Sequence, residues 1–270
     1  MFRLAIAFAV TIALLFAFAN FLRRTGMFFP DRYPSGQWDV RAFSPAPAEH
    51  TFQTRDHVTL HGWLFRAANA NAPTLIWFHG NAGNLTYRAP MCAELARRGI
   101  SVFVFDYRGF GRSEGRASES ALYTDSLAAY DYVRGLGAKN IVVYGESIGG
   151  PYAAYVAKER KGGVRAAVIE NSFPSLKDLG NALYAPLPLG WTAPRAMRTT
   201  AWLNQAGVPV LVMHGTADRV IPYSLGKKLF DDLRVPKEML ISNAGHCEIP
   251  ALDGRRYYDA VTRFILKEAA

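Results

Sequence analysis

The chain has 270 residues, half of them apolar, a formal net charge of +9 and a mean hydropathy of +0.00. That length suits one large α/β domain or two small ones, and the apolar share is enough for a sizeable core. Cys92 and Cys247 are its only cysteines, so neither a disulfide framework nor a zinc-type cysteine cluster is implied.

The first predicted element is a membrane helix. Leu4 to Leu22 is nineteen residues without a charge, bounded by Arg3 and by Arg23-Arg24, long enough to cross a hydrocarbon core. A cleaved signal peptide competes, because Ala17-Phe18-Ala19 fits the small-x-small rule. The run is long for a signal h-region and continues past that point, which favours an uncleaved anchor over residues 1–24. The flanking arginines are nearly balanced, so the side of the membrane is left open. Residues 25–48 follow as a connector rich in proline and aromatics. It reads as a stiffened linker, as an aromatic belt at headgroup level, or as both. The basic pairs Arg97-Arg98, Lys227-Lys228 and Arg255-Arg256 are scattered. They suit attraction to anionic lipid, and they form no stripe of the kind that binds nucleic acid.

From residue 49 the pattern is that of one domain. His50 to Thr54 and Thr59 to Phe65 alternate as a β pair around Arg55-Asp56-His57. Leu75 to Phe78 is a buried-type strand, followed by the glycine-rich run His79-Gly80-Asn81-Ala82-Gly83-Asn84. Asn84 is expected to cap the next helix and Gly99 to end it. Val102 to Phe105 is a strand. Ser118 opens a helix whose face is marked by residues 122, 126, 129, 130 and 133. Strands at 141–144, 166–169, 208–213 and 238–241 follow, and a last helix runs from about 253 to 266. Such alternation predicts a mostly parallel sheet with helices on both faces. Residues 172–207 interrupt it with Pro174, Pro186, Pro188 and Pro194 among Leu, Trp and Tyr, and are expected to form a small cap.

The chemistry is concentrated at Gly145-Glu146-Ser147-Ile148-Gly149, where an apolar strand meets a helix. That is the nucleophile-elbow pattern: a strained turn pushes the serine hydroxyl clear, and small flanking residues let strand and helix approach. A serine needs a base, and the base needs an orienting group. In open α/β sheets such groups gather at the carboxyl ends of strands. Two candidates stand there: Asp218 after the 208–213 strand and His246 after the 238–241 strand. Glu170, which also ends a strand, is the reserve for Asp218. The order Ser147, Asp218, His246 is the one expected of this elbow fold. A backbone N–H from the glycine-rich turn, that of Asn81, pairs with that of Ile148 as the expected oxyanion hole. His50, His57 and His61 read as surface or core histidines, His214 as packing at its strand end, and Cys247 as incidental.

With these motifs, residues 50–270 resemble a serine hydrolase of the α/β-hydrolase superfamily. The resemblance is strongest to its membrane-anchored branch, which carries the His-Gly-Asn-Ala-Gly-Asn stretch and a loop like Asp106-Tyr107-Arg108-Gly109-Phe110-Gly111-Arg112-Ser113-Glu114-Gly115. The resemblance implies an eight-stranded sheet with its first pair antiparallel, the Ser147, Asp218 and His246 triad, and an N-terminal membrane helix. Some relatives deacylate protein cysteines through a cysteine-rich amino terminus, whereas here the first cysteine is Cys92. No metal-ligand spacing or phosphate loop is seen, so no metal or cofactor is expected. The expected activity is hydrolysis of carboxylic esters or thioesters of lipid-like acyl groups, in an enzyme held to a membrane. A serine peptidase on the same triad and a non-catalytic binding protein of the same fold are the alternatives.

Overall fold

The computed structural model describes residues 27–184, 186 and 197–269. The Leu4 to Leu22 stretch and the cap residues Leu187, Leu189 and Trp191 lie outside the described residues. Among the described residues no helix is long and apolar enough to cross a membrane.

The strands form where apolar, β-branched runs allow both faces to be covered. Strand β1 is Phe29–Pro30, β2 Ala48–Gln53, β3 Thr59–Phe65, β4 Thr74–Phe78 and β5 Ala82–Gly83. Helix α1 (Ala89–Arg97) leads to β6 (Ser101–Asp106), and α2 (Glu119–Gly135) to β7 (Ile141–Glu146). Then come α3 (Gly149–Glu159), β8 (Val164–Glu170), α4 (Leu176–Leu183) and α5 (Thr199–Ala206). The chain closes with β9 (Val210–Gly215), α6 (Tyr223–Asp232), β10 (Lys237–Ser242), α7 (Ile249–Asp253) and α8 (Arg255–Glu268). Eight strands make the main sheet in the order β10-β9-β8-β7-β4-β6-β3-β2. From β6 to β10 every pairing is parallel. The expected antiparallel first pair is present, and β3 is antiparallel to β6 as well.

Strand side chains alternate between faces, so each central strand feeds two cores. Ile76, Phe78, Ile141 and Val143 pack with Leu122, Ala129 and Val156 of α2 and α3. Leu75, Trp77, Val142 and Tyr144 pack with Ala93 and Leu95 of α1 and with Val261 and Phe264 of α8. The Ser118 cap forms as expected, its Oγ accepting the Ala121 N–H. Asn84 departs from expectation. It caps a single 3₁₀ turn, Leu85–Tyr87, and α1 starts only at Ala89, with Pro90 in its first turn where a missing N–H costs nothing. The last helix is likewise two, broken at Gly254, whose φ of +48° a helix cannot continue.

From Met27 on, the connector is laid against the domain. Phe28 is buried edge-on to Phe110. Trp38 meets Trp63, and Phe43 meets Trp63 and Phe65. β1 pairs in parallel with β5, Phe29 opposite Ala82 and Pro30 opposite Gly83. Phe29, Tyr33 and Tyr87 stay exposed.

Candidate active site

The site gathers at the carboxyl ends of β4, β7, β8, β9 and β10, where the parallel sheet directs every following loop to one edge. At the end of β7 the chain reverses through Ser147, whose φ of +55° lies in the left-handed region that a non-glycine residue adopts only under constraint. The sheet supplies the constraint. The Ser147 N–H donates to the Glu170 carbonyl at 2.8 Å, and the Gly150 N–H returns to the Ser147 carbonyl at 3.0 Å. Gly149 lies so close to β4 that an added Cβ would fall inside the Phe78 carbonyl oxygen. A side chain at Gly145 would strike the backbone of Gly150. The two glycines of the elbow are therefore steric necessities.

The structure brings together the three residues expected to act with one another. His246 Nε2 lies 3.0 Å from Ser147 Oγ, and His246 Nδ1 lies 2.7 Å from Asp218 Oδ2. The carboxylate facing Nδ1 places the proton there and leaves the Nε2 lone pair toward the serine. Asp218 is held by its own turn, its Oδ1 accepting the N–H groups of Val220 and Ile221 at 2.8 Å each. Burial raises its carboxyl pKa, but the His246 hydrogen bond and those two N–H groups outweigh burial and leave it below its ordinary value. His214, fully buried, has Nε2 2.9 Å from the Ile221 carbonyl and steadies the same turn. Burial lowers its pKa, so it stays neutral and donates.

Glu170 does not reach the imidazole. Its carboxyl accepts from Tyr144, which is in turn 2.7 Å from the Tyr257 hydroxyl. Burial pushes this carboxyl up to about 8. What Glu170 gives the site is its backbone carbonyl.

Ile148 follows Ser147 directly in the chain, and Asn81 lies in the turn after β4. Ile148 is the cap residue of α3 and Asn81 follows Gly80 in the β4–β5 turn. A Cβ on Gly80 would stand 3.6 Å from that of Ser147 and 3.1 Å from Glu146 Oε1, so the turn lies directly beside the elbow. His79 Nδ1 is 2.8 Å from the Gly80 carbonyl. Burial holds His79 down to about 3, so the ring is neutral and Nδ1 carries the donated proton. That carbonyl shares its peptide with the Asn81 N–H, so the bond sets the direction of the N–H.

Three features went unseen in the sequence. Glu146 is buried and paired with Arg88 through bonds of 2.6 and 3.0 Å, and Trp77 Nε1 adds a third at 3.2 Å. Burial pushes the Glu146 carboxyl up, yet the Arg88 charge and hydrogen bonds more than reverse this and hold it near 2. Asn171, at φ +46°, bridges both loops that carry the base pair: its Nδ2 donates to the Gly245 carbonyl and its Oδ1 accepts the Gly215 N–H, each at 3.2 Å. Cys247 is an exposed residue, but its Sγ points inward at Glu146 Oε1, 3.4 Å away, and desolvation of the sulfur together with the nearby carboxylates keeps it a thiol. Only the glutamate inside Gly-Glu-Ser-Ile-Gly hinted at a buried pair, and nothing local pointed to Arg88.

Chemically, the arrangement offers a hydroxyl within reach of a base, a carboxylate to stabilise that base once protonated, and backbone donors beside both. Among the described residues no group of three His, Cys, Asp or Glu side chains is placed to hold a metal ion. A cleft of about 670 Å³ lined by Pro174, Asp178, Arg198, Asn204 and Arg234 includes none of these residues.

A family model described as alpha/beta hydrolase fold matches residues 73–189. The uncharacterized protein YfhR of Salmonella typhi is 34% identical over 255 residues, covering 84% of this chain and 85% of that one. Protein bem46 of Schizosaccharomyces pombe is 32% identical over 213 residues, covering 72% and 69%. Among solved structures, esterase Pf2001 of Pyrococcus furiosus superposes with a TM-score of 0.76 at 20% identity, covering 90% of this chain and 99% of that one. Est1E of Butyrivibrio proteoclasticus, solved with ferulic acid bound, gives a TM-score of 0.67 at 20% identity, covering 81% and 98%. At such identities these two speak for the fold alone.

Proposed function

The chain belongs to the α/β-hydrolase family, and from that premise we propose that it is a serine hydrolase cleaving carboxylic esters or thioesters through an acyl-enzyme. The observation that supports this most is the unbroken line from Ser147 Oγ through His246 to Asp218, with contacts of 3.0 and 2.7 Å. In the first half-reaction Ser147 Oγ attacks the acyl carbonyl carbon while its proton passes to His246 Nε2. Asp218 stabilises the imidazolium that forms. The carbonyl oxygen, now an anion, is held by the N–H groups of Asn81 and Ile148 at the N-terminus of α3. Collapse expels the alcohol or thiol, which takes the proton from His246. Water then enters and repeats the sequence, returning Ser147 and releasing the acid.

The same reading places the enzyme at a membrane, through an anchor at residues 4–22. Phe29, Tyr33 and Tyr87 stand exposed where the described chain begins, with Arg32 and Arg112 beside them, a composition suited to the headgroup region. Of the insert, Phe173 is buried and Leu176 and Leu179 pack onto the core, while Leu183 and Tyr184 are exposed and free to meet an acyl chain. Each buried methylene contributes about 0.8 kcal/mol, which favours medium or long chains over acetyl. The test uses detergent-solubilised full-length protein. A fluorophosphonate probe is expected to label it, and Ser147→Ala to lose the label with its melting temperature unchanged. A p-nitrophenyl ester panel from about two to about sixteen carbons then reads the acyl groove, kcat/KM rising with length. Labelling that survives Ser147→Ala defeats the proposal, and an optimum at acetate removes its lipid-like part.

A further inference from the structure

The connector does more than cover the core: it grips the peptide turn that carries one of the two oxyanion donors. Phe29 donates its N–H to the Asn81 carbonyl at 2.8 Å, and Asn81 donates its side-chain amide to the Met27 carbonyl at 3.1 Å. Two residues on, the Asp31 N–H donates to the Gly83 carbonyl at 3.0 Å. The turn held in this way is soft by composition. Gly80 and Gly83 bracket Asn81, and Gly83 sits at φ +79°, so its backbone has a wide range of its own to explore. The connector itself is fixed from behind. Phe28 is buried against Phe110, the Gly111 N–H donates to the Asp31 carbonyl at 3.0 Å, and the Tyr33 N–H donates to the Gly111 carbonyl at 3.0 Å. Asn84 Nδ2 reaches the carbonyls of Asp31 and Ser35 at 3.1 and 2.8 Å.

Covering the core takes the side chains of Met27 and Phe28 and requires no bond to Asn81. The two bonds to Asn81 do something else: they fix both its carbonyl and its side chain, and thereby its backbone dihedrals. His79 fixes the preceding peptide through the Gly80 carbonyl. Between them they restrain the peptides on both sides of Asn81, in a turn whose Gly80 lies against Ser147.

We infer that residues 27–31 are a positioning segment of the active site, holding the Asn81 N–H on the oxyanion through the Phe29–Asn81 and Asn81–Met27 hydrogen bonds. The inference rests on the hydrolase reading above and extends it to a part of the chain remote from the triad in sequence. Donors of this kind must be aimed at the oxygen of the transition state, so a small misplacement lowers turnover and leaves ground-state binding alone. It also ties catalytic competence to the place where the chain enters the domain.

The test uses the full chain with two independent substitutions. Phe29→Pro deletes the N–H at an exposed side chain, and Asn81→Ala deletes the amide while keeping the oxyanion N–H. Each is expected to lower kcat on the order of tenfold with KM held within about twofold, less than the loss of a whole donor. Affinity for a trifluoromethyl ketone, which forms a tetrahedral adduct on the serine, should fall by the same factor as kcat/KM. The double variant should lose no more than the worse single, because both act through the placement of one residue, Asn81. Arg41→Ala, which removes an exposed ion pair with Asp39 outside residues 27–31, should leave kcat unchanged. An unaltered kcat in both singles, a loss that tracks KM or melting temperature, or losses that multiply in the double overturns the inference alone. No probe labelling at Ser147 in the unsubstituted chain overturns the hydrolase reading and this inference with it.

Discussion

Ser147 sits on a turn gripped by the sheet itself, whereas Asp218 and His246 sit on loops held largely by side-chain hydrogen bonds. On the serine side the fixing contacts are backbone against backbone: the Glu170 carbonyl on the Ser147 N–H, β4 against Gly149, α3 against Gly145. On the base side they are largely side chains reaching backbone: Asp218 on its own turn, Asn171 between Gly215 and Gly245, His214 on Ile221. The difference separates two kinds of failure. A change in what supports the serine turn disturbs the fold before it disturbs the chemistry, and a change on the base side does the reverse.

The largest effect expected on the base side is that of Asp218→Asn. The amide oxygen is still able to accept from Val220 and Ile221, so the turn should survive. What it cannot do is hold the Nδ1 proton of His246 and stabilise the imidazolium. A fall in kcat of about 10⁴ is expected with the wrong tautomer in place. Ester turnover together with a thermal melt checks it. A melting temperature that falls together with kcat would break the distinction between the two halves.

The matching test on the serine side is Arg88→Met. It leaves the buried Glu146 carboxylate, next to Ser147, without its partner. Removing one member of a buried pair costs about 3–5 kcal/mol. The wild-type pair has a sign that can be worked out. Glu146 is held near 2, below its ordinary 4.5, so its stabilisation is present above about pH 4.5 and is lost as pH falls toward 2. Without Arg88 burial outweighs the remaining Trp77 hydrogen bond, the carboxyl rises above 4.5, and the penalty should grow as pH increases. Adding Glu146→Gln should recover most of the loss. Denaturant melts of both singles and the double at pH 5 and pH 8 measure this. Equal instability at the two pH values would mean that the lost side chain, and not the stranded charge, is responsible.

What was legible in the sequence follows the same division. The elbow was readable because its causes are local: strand, glycine, serine and helix are contiguous, and steric need dictates the residue types. Asp218 and His246 were readable as positions, because each stands just past an apolar run that the parallel sheet brings to a common edge. Their supports were not. Asn171 acts on Gly215 and Gly245, and Arg88 acts on Glu146 fifty-eight residues away; no periodicity encodes such pairings. The connector was the hardest case. Its prolines and aromatics have the composition of a linker, and only the tertiary structure puts a two-residue strand of it against Ala82 and Gly83. Glu170 ends a strand, and in the sequence that is all it shares with Asp218's place after one. Its side chain turns to the other face, toward Tyr144 and Tyr257.

That same Glu170 supplies the smallest and sharpest test, because it stands on the serine side and holds Ser147 only through its backbone. Burial raises its carboxyl to about 8 from an ordinary 4.5. The folded protein therefore keeps a proton that the unfolded chain releases, and between about pH 4.5 and pH 8 the folded state binds more protons. Stability must fall as pH rises through that window. Glutamine cannot ionise, yet its Oε1 can still accept from Tyr144, and the Ser147 N–H keeps its backbone partner. Glu170→Gln should therefore melt higher than wild type at pH 8 and by a smaller margin at pH 5. A gain of about 1 kcal/mol corresponds to about 2–4 °C for a chain of this size. Asp106, fully buried and likewise raised to about 8 by burial, keeps part of the wild-type slope, so the substitution should flatten the pH profile without levelling it. If the two proteins melt in parallel across the window, Glu170 is ionised in the fold, and the serine side then contains a stranded charge that its backbone bonds must overcome.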